Sequence, residues 1–220
     1  GKVDLADPEG WAAAVKDQVQ LIKTNPVYRT FSTCGTQDTQ DITLSYGAFP
    51  VKNFREGQFP YPEAIESPAY TAMRVRNIAC YSCMIHCASL AKVRTGRYAG
   101  SWTEGPEYET IWAFTGPIVS ADVGLTVAAD HLCDKLGLDT ISVGSSIGFA
   151  YELFERGIIT RDDLGGLELK YGDGEPVLEL IRQIAYREGF GDVLAEGTAR
   201  AAAKIGQGAD YYAMQIKGLE

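Results

Sequence analysis

Three cysteines, Cys80, Cys83 and Cys87, lie in one short stretch with the spacing C-x-x-C-x-x-x-C. Thiolates at these separations can converge on one inorganic centre if a loop presents the first sulfurs and the last lies one helical turn further along. This spacing is typical of an iron–sulfur cluster, although a cubane cluster usually takes four ligands. A zinc knuckle or a set of buried thiols remains the alternative, but the chain has neither a second C-x-x-C pair nor a histidine pair.

The remaining cysteines and the two histidines have simpler interpretations. We interpret Cys34 and Cys133 as structural thiols, because both stand apart from the cysteine run. His131 is expected to pack in the protein rather than to bind a metal, since histidine is commonly half-buried. His86 lies inside the run, where it either tunes a cluster by hydrogen bonding or faces solvent.

A second candidate for chemistry is the acidic segment Glu104-Gly105-Pro106-Glu107-Tyr108-Glu109, which leads into an apolar run. A carboxylate pushed toward the interior there would have a raised pKa and could exchange protons near neutral pH. The alternative is that these acids stabilise the positive end of a helix. The residues alone leave both interpretations open.

The composition excludes several classes of protein. The chain has 220 residues, is 45% hydrophobic and 22% charged, and carries a net charge of −9. These values are ordinary for a globular protein, and the acidic balance disfavours nucleic acid or an anionic membrane as a partner. No apolar run is long enough to span a bilayer, and the N-terminus lacks the pattern of a signal peptide. Five cysteines, three of them clustered, suit a reducing compartment, so we expect a cytoplasmic protein.

The hydrophobic pattern predicts a mainly α fold, with little alternating strand signal. We expect a first helix opened by Asp7 and Pro8, whose stripe of Trp11, Val15, Val19 and Ile22 packs in the core. Further expected elements are a short helix over 36–46, a helix from Tyr70 toward Val75, a helix or strand over 88–93, a helix ending at Gly137, an antiparallel neighbour opened by Asp139, and a Thr160-capped helix over 158–164.

The three motifs together closely resemble the tungsten-dependent aldehyde ferredoxin oxidoreductases. They are the cysteine run, the acidic segment, and the D-x-x-G-L-D sequence of residues 134–139, and their order and spacing match that family. Supporting similarity runs through 47–53, 152–159 and 187–197. The resemblance therefore covers essentially the whole chain.

That resemblance implies the chemistry and the residues that carry it. In the family, a tungsten (or molybdenum) bis-pterin lies beside a [4Fe-4S] cluster, an aldehyde is oxidised to a carboxylic acid, and electrons leave to ferredoxin or another electron-transfer protein. Cys80, Cys83 and Cys87 would be cluster ligands, and Glu109 would be the catalytic acid near the metal. Asp134 would contact a pterin, while Gly137, Leu138 and Asp139 would shape the turn beside it.

The same resemblance implies that residues 1–220 form one helical domain of a larger tungstopterin oxidoreductase. The chain begins without Met and stops in what resembles the start of another element, so we expect a piece of a longer polypeptide. A β-rich N-terminal domain and a C-terminal helical domain, with the fourth cluster cysteine and a second pterin turn, would lie outside it. A homo-oligomer or a larger complex is compatible with this assignment.

Three alternative functions stay open. A relative could use the same scaffold for another low-potential reaction, such as aromatic-ring reduction inside a larger complex. An electron-transfer module would hold a cluster without tungsten, which leaves the motifs around Glu109 and Asp134 without a purpose. A zinc-stabilised helical interaction domain would bind zinc and show no charge-transfer absorption.

Overall fold

The computed structural model describes residues 3–220. Within them the chain forms eleven α-helices, three β-strands and a short 3-10 helix, so the prediction of a mainly α fold is confirmed. The elements in chain order are α1 (Pro8–Thr24), α2 (Pro26–Cys34), α3 (Gln37–Ser45), α4 (Pro62–Ile65), α5 (Ser67–Thr71), β1 (Arg74–Ile78), β2 (Ala88–Lys92), β3 (Trp102–Glu104), α6 (Tyr108–Thr115), α7 (Val123–Leu136), α8 (Thr140–Glu155), α9 (Val177–Tyr186), α10 (Gly191–Leu194), α11 (Thr198–Ile205) and the 3-10 helix (Ala209–Tyr212).

The core lies where α6, α7, α8 and α9 pack together. Helices α6 and α8 are almost entirely buried along their lengths, and Gly144 lets them approach closely, since a Cβ atom there would lie only 2.5 Å from the carbonyl oxygen of Ala113. Large side chains from this region, including Phe114 and Tyr151, are fully buried. This packing holds the first turns of α6 and α8 in fixed positions.

The three strands form one antiparallel sheet in the order β1-β2-β3. Asn77 pairs with Ser89, and Leu90 pairs with Glu104, so the central strand is β2. The 88–93 segment, left open between helix and strand, is therefore a strand. Residues 79–87, with all three clustered cysteines, form the connection between β1 and β2.

Two predictions about the approach to the cysteines were wrong. The helix expected from Tyr70 toward Val75 ends at Thr71, and β1 begins at Arg74, because pairing with β2 satisfies the backbone there. The connection also contains no helix to carry the last thiol. It is irregular instead, with Ser82 and His86 in the left-handed region at φ 57° and 58°.

The stripe on α1 was also mispredicted. Asp7 caps the helix by accepting a hydrogen bond from the Gly10 N–H at 2.9 Å, as expected. However, α1 buries none of its residues within the described chain, and Trp11 is 58% exposed. The apolar period was correct, but within residues 3–220 this face is largely exposed, because amphipathicity alone does not identify what covers a helix.

The segment 158–164 forms turns rather than the expected short helix. Thr160 donates from both its backbone N–H and its hydroxyl to Asp163 Oδ2, at 2.8 and 2.7 Å. Such local side-chain bonds compete with helix formation. The short helix expected over 36–46 is confirmed as α3.

Candidate functional site

The cysteine-bearing connection is held against the N-terminal helices. Tyr28 in α2 donates its hydroxyl to the Met84 carbonyl at 3.4 Å. Gly35, at φ 69°, lies so close to the Cys87 carbonyl oxygen that any Cβ atom would overlap it. These contacts fix the end of the connection that bears Cys87.

The three thiols differ in exposure. Cys80 is exposed, whereas Cys83 and Cys87 are half-buried. The Ile85 N–H lies 3.5 Å from Cys83 Sγ, a contact that would stabilise a thiolate. The pKa of Cys87 is raised, first by burial, then by the negative charge of Glu107, and less by Cys83 and Cys80.

A resident metal centre has to be tested against these donors. In residues 3–220, no three His, Cys, Asp or Glu side chains are arranged to hold a metal ion. The donor chemistry nonetheless fits a cluster, because three thiols lie on one connection and one of them already accepts from a backbone N–H. Cluster binding would require the connection to close around the metal.

The acidic segment packs between α3 and the sheet. Ser89 donates its hydroxyl to the Gly105 carbonyl at 3.2 Å, and Gln37 donates its side-chain amide to the Pro106 carbonyl at 3.3 Å. Thr36 donates to the Glu107 carboxylate and accepts from the Tyr108 N–H at 2.9 Å. The segment is therefore fixed on both sides, and Thr36, which binds Glu107, directly follows the Gly35 that contacts Cys87.

Glu109 stands in the first turn of α6 and is exposed. Its neighbour Thr110 shares a hydroxyl hydrogen bond of 2.8 Å with Thr140, the first residue of α8. This bond ties the beginning of α6 to the turn that precedes α8. Glu109 and the D-x-x-G-L-D turn are thus presented at neighbouring helix ends.

The D-x-x-G-L-D turn has the geometry that its sequence predicts. Gly137 ends α7 in the left-handed conformation at φ 69°, and Asp139 caps α8 by accepting from the Ser142 N–H at 2.7 Å. Leu138 is half-buried against the core, whereas Asp134 and Asp139 are exposed. Beside the turn is a cleft of about 140 Å³ lined by Leu138, Asp139 and Ser142, among others.

Sequence reasoning missed Asp130, which is 7% exposed and lies one helical turn before Asp134 on α7. Thr103 in β3 places its Oγ1 atom 3.0 Å from Asp130 Oδ2 and 3.4 Å from Asp134 Oδ2. Burial raises the pKa of Asp130 to about 7, which the Thr103 hydrogen bond opposes and the charges of Asp134 and Glu107 increase. The four-residue spacing of the two acids was the available signal, because it places them on one helix face.

The side chains next to Asp130 behave as structural residues. Cys133 is fully buried in the core, and burial raises its thiol pKa to about 12. His131 packs its ring against Trp102, with ring centroids 5.2 Å apart. Both observations agree with the sequence interpretation of these residues as packed rather than metal-binding.

In the described part of the chain, no helix has the length and hydropathy required to cross a bilayer.

Comparison with known proteins gives one consistent family. Residues 13–220 match the family model described as aldehyde ferredoxin oxidoreductase, domains 2 and 3. The chain is 38% identical over 221 residues to a tungsten-containing aldehyde ferredoxin oxidoreductase of Pyrococcus furiosus, covering 99% of this chain and 36% of that protein. It is 35% identical over 222 residues to the enzyme of the same name from Thermococcus kodakarensis, covering 100% and 36%. The chain thus spans about a third of the length of these relatives.

Two further similarities extend beyond the aldehyde-oxidising enzymes. Over 144 residues, 63% of this chain and 23% of the relative, the chain is 41% identical to the WOR-like subunit of an aliphatic sulfonate oxidoreductase of Pyrococcus furiosus. Among solved structures, it is similar to the active site complex BamBC of benzoyl coenzyme A reductase in complex with 1,5-dienoyl-CoA. That match has a TM-score of 0.65 and 27% identity, and it covers 84% of this chain and 27% of the other.

Proposed function

The chain belongs to the aldehyde ferredoxin oxidoreductase family, and we propose that it is the helical part of an enzyme that oxidises small aldehydes to carboxylic acids. The proposed enzyme uses a tungsten, or molybdenum, bis-pterin, and passes electrons through a [4Fe-4S] cluster to ferredoxin or another redox partner. When bound, these groups supply the redox chemistry, while the protein binds, orients and exchanges protons.

The observation that carries this proposal is the position of Glu107. Thr36 donates to the Glu107 carboxylate, and the preceding Gly35 contacts the Cys87 carbonyl oxygen. Asp130 of α7 lies beside Gly105, so the cysteine connection and α7 come close together at the Gly105-Pro106 turn. A cluster held by the cysteines and a cofactor held at the end of α7 would therefore lie close together. Such proximity is what electron transfer between them requires.

The assigned roles follow from exposure and hydrogen bonding. Cys80, Cys83 and Cys87 would ligate the cluster, with the Ile85 N–H supporting the Cys83 sulfur. The exposed Asp134 carboxylate would accept hydrogen bonds from pterin N–H groups, and the turn from Gly137 through Leu138 to Asp139 would face the same ligand. The N-terminus of α8 would add a favourable field for an anionic cofactor.

Glu109 would act as the proton acceptor for the water or hydrate consumed in aldehyde oxidation. Oxidation of an aldehyde with water yields the carboxylic acid, a pair of protons and a pair of electrons, so a base near the reacting carbon is needed. Glu109 is exposed at the end of α6, and the Thr110–Thr140 hydrogen bond fixes the turn that bears it. It therefore presents an exposed carboxylate beside the turn that carries Asp139.

A second candidate function is reduction of an aromatic ring within a larger complex. The structural similarity to the benzoyl coenzyme A reductase complex favours it. The whole-chain identity of 38% to an aldehyde-oxidising relative, against 27% to that complex, favours aldehyde oxidation. The residues of the cysteine connection and of the α7–α8 turn would serve both reactions in the same way.

The first test is elemental analysis of the full-length polypeptide, purified without oxygen, for iron, tungsten, molybdenum and zinc. The proposal predicts about four iron atoms and about one tungsten or molybdenum atom per chain. Aldehyde oxidation, with a viologen dye as the electron acceptor, should then be compared with the reaction of benzoyl and dienoyl thioesters. Zinc without iron or tungsten would overturn the proposal and favour a structural role for the cysteines.

A further inference from the structure

The shared hydroxyl of Thr103 connects two acids of α7, one buried and one exposed. Its Oγ1 atom lies 3.0 Å from Asp130 Oδ2 and 3.4 Å from Asp134 Oδ2. A threonine hydroxyl carries a single proton, so it can donate to only one of two ionised carboxylates. Both contacts become hydrogen bonds at once only if one of the acids is protonated and donates to Thr103.

Of the two acids, Asp130 is the one whose burial favours the protonated form. It is 7% exposed, and a buried carboxylate without a counter-ion is costly to ionise. Asp134 is exposed and can keep its charge in contact with water. In that state Asp130 donates to Thr103 and Thr103 donates to Asp134, whereas an ionised Asp130 accepts from Thr103 at 3.0 Å.

We propose that Asp130 is a positioning residue for the cofactor: as a neutral acid it donates to Thr103, which donates to Asp134 and thereby orients the Asp134 carboxylate toward the N–H donors of the pterin. This inference rests on the proposed function, which gives Asp134 its role but leaves Asp130 without one. Transfer of a proton out of Asp130 would turn the Thr103 hydroxyl toward the nearer Asp130 and release Asp134.

The surroundings of Asp130 define how this arrangement responds to pH. Burial raises the pKa of Asp130 to about 7, and the charges of Asp134 on its own helix and of Glu107, which precedes α6, raise it further. Cys133 on the same helix stays a neutral thiol, because its own pKa is raised to about 12. From β3, the Thr103 hydroxyl contacts Asp130, while the ring of His131 packs against Trp102. Ionisation of Asp130 near neutral pH should therefore weaken cofactor retention.

The test uses the full-length holoenzyme and measures pterin release rather than turnover. Protein is incubated anaerobically between about pH 6 and pH 9, filtered, and the released pterin is oxidised and quantified by fluorescence. Release from wild type should accelerate as the pH rises through about 7. Asp130→Asn keeps a side-chain donor and cannot ionise. At every pH tested, its rate of pterin release should therefore stay near the rate that wild type shows at about pH 6.

Thr103 provides matched variants that preserve the fold. Thr103→Val keeps the shape of this buried side chain but removes the hydroxyl, so it should release pterin roughly tenfold faster or more. Thr103→Ser restores the hydroxyl and should return release to near the wild-type rate. If Asp130 had only a structural role, the rate of pterin release per folded molecule would be the same for Thr103→Val as for wild type.

The outcomes separate this inference from the proposed function. Pterin in the wild-type protein, with release that does not depend on pH or on the Thr103 hydroxyl, would overturn the positioning role alone. Absence of pterin from the wild-type holoenzyme would overturn the proposed function and this inference together. The positioning role would be supported by two results together. Thr103→Val should release pterin faster, with rescue by Thr103→Ser, and Asp130→Asn should release it at a rate that does not depend on pH.

Discussion

Asn53 donates its side-chain amide to the buried carboxylate of Glu152 over 2.7 Å, across 99 residues of sequence. The same amide donates to the Tyr212 carbonyl at 2.8 Å, and Arg156 donates to Glu152 from Nε and Nη2 at 2.9 and 2.7 Å. Asn53 thus joins the loop after α3 to α8 and to the 3-10 helix. The carboxylate it contacts is 3% exposed, so loss of the amide leaves the buried Oε2 atom of Glu152 without this hydrogen-bond donor.

Asn53→Ala is expected to lower the free energy of unfolding by about 3 kcal/mol, because a part-buried hydrogen bond and a buried one to a charged group are both lost. Asn53 has φ 53°, so alanine should add roughly 1 kcal/mol of backbone strain. Asn53→Gly removes the hydrogen bonds without that strain and isolates their contribution. Urea unfolding of the 220-residue chain gives the free energy of unfolding of wild type, Asn53→Ala and Asn53→Gly.

The control for Asn53 is an exposed ion pair. Glu175→Gln removes the 2.9 Å contact with Arg97 at the surface and should change the free energy of unfolding far less than Asn53→Gly does. Equal effects of Glu175→Gln and Asn53→Gly would contradict the importance assigned to the buried network.

The charge state of Asp130 should make stability depend on pH. Its pKa is raised in the folded chain from 3.8 to about 7, so its favourable contribution is complete below about pH 4 and is lost as the pH rises through about 7. Asp130→Asn should match wild type near pH 4 and be more stable above pH 7, by up to about 4 kcal/mol for a shift of about three units. Parallel stability curves for the two proteins between pH 4 and pH 8 would show that Asp130 does not titrate in this way.

Local signals made much of the fold and part of the site predictable. Asp7, Gly137 and Asp139 act within a few residues of their own position, and the structure places each of them at the helix end that the sequence indicated. The 3.6-residue period also identified the long helices correctly. These features depend on short-range hydrogen bonds and periodicity, which a sequence contains in full.

The features that sequence reasoning missed depend on distant partners. The strand β1 forms because β2 pairs with it, and no property of Arg74–Ile78 alone excludes a helix. The apolar stripe around Trp11 has the correct period, but its exposure depends on what lies against α1. Asp130 becomes notable only because β3 brings Thr103 to it from 27 residues away.

Substitution of the clustered cysteines tests the proposed metal centre. Cys83→Ser in the full-length protein should reduce iron from about four atoms to fewer than about one per chain and abolish the visible absorption of the cluster, because serine is a poor cluster ligand. Cys34→Ser, a half-buried thiol at the end of α2, is the matched control and should retain the iron. Iron loss in both variants, or in neither, would argue against the assignment of the cluster to residues 80–87.

The role proposed for Glu109 predicts a specific kinetic defect. Glu109→Gln keeps the size of the side chain but removes a proton acceptor, so kcat for aldehyde oxidation by the full-length enzyme should fall about 10²- to 10⁴-fold. Tungsten, iron and pterin contents should not change, because Glu109 is exposed and the Thr110–Thr140 hydrogen bond that fixes its turn is preserved. Glu104→Gln changes an acid of β3 that is also exposed, and it should leave kcat nearly unaltered. If kcat of Glu109→Gln were unchanged, proton transfer would have to be carried out by another group. If its metal content fell, Glu109 would have a role in cofactor binding instead.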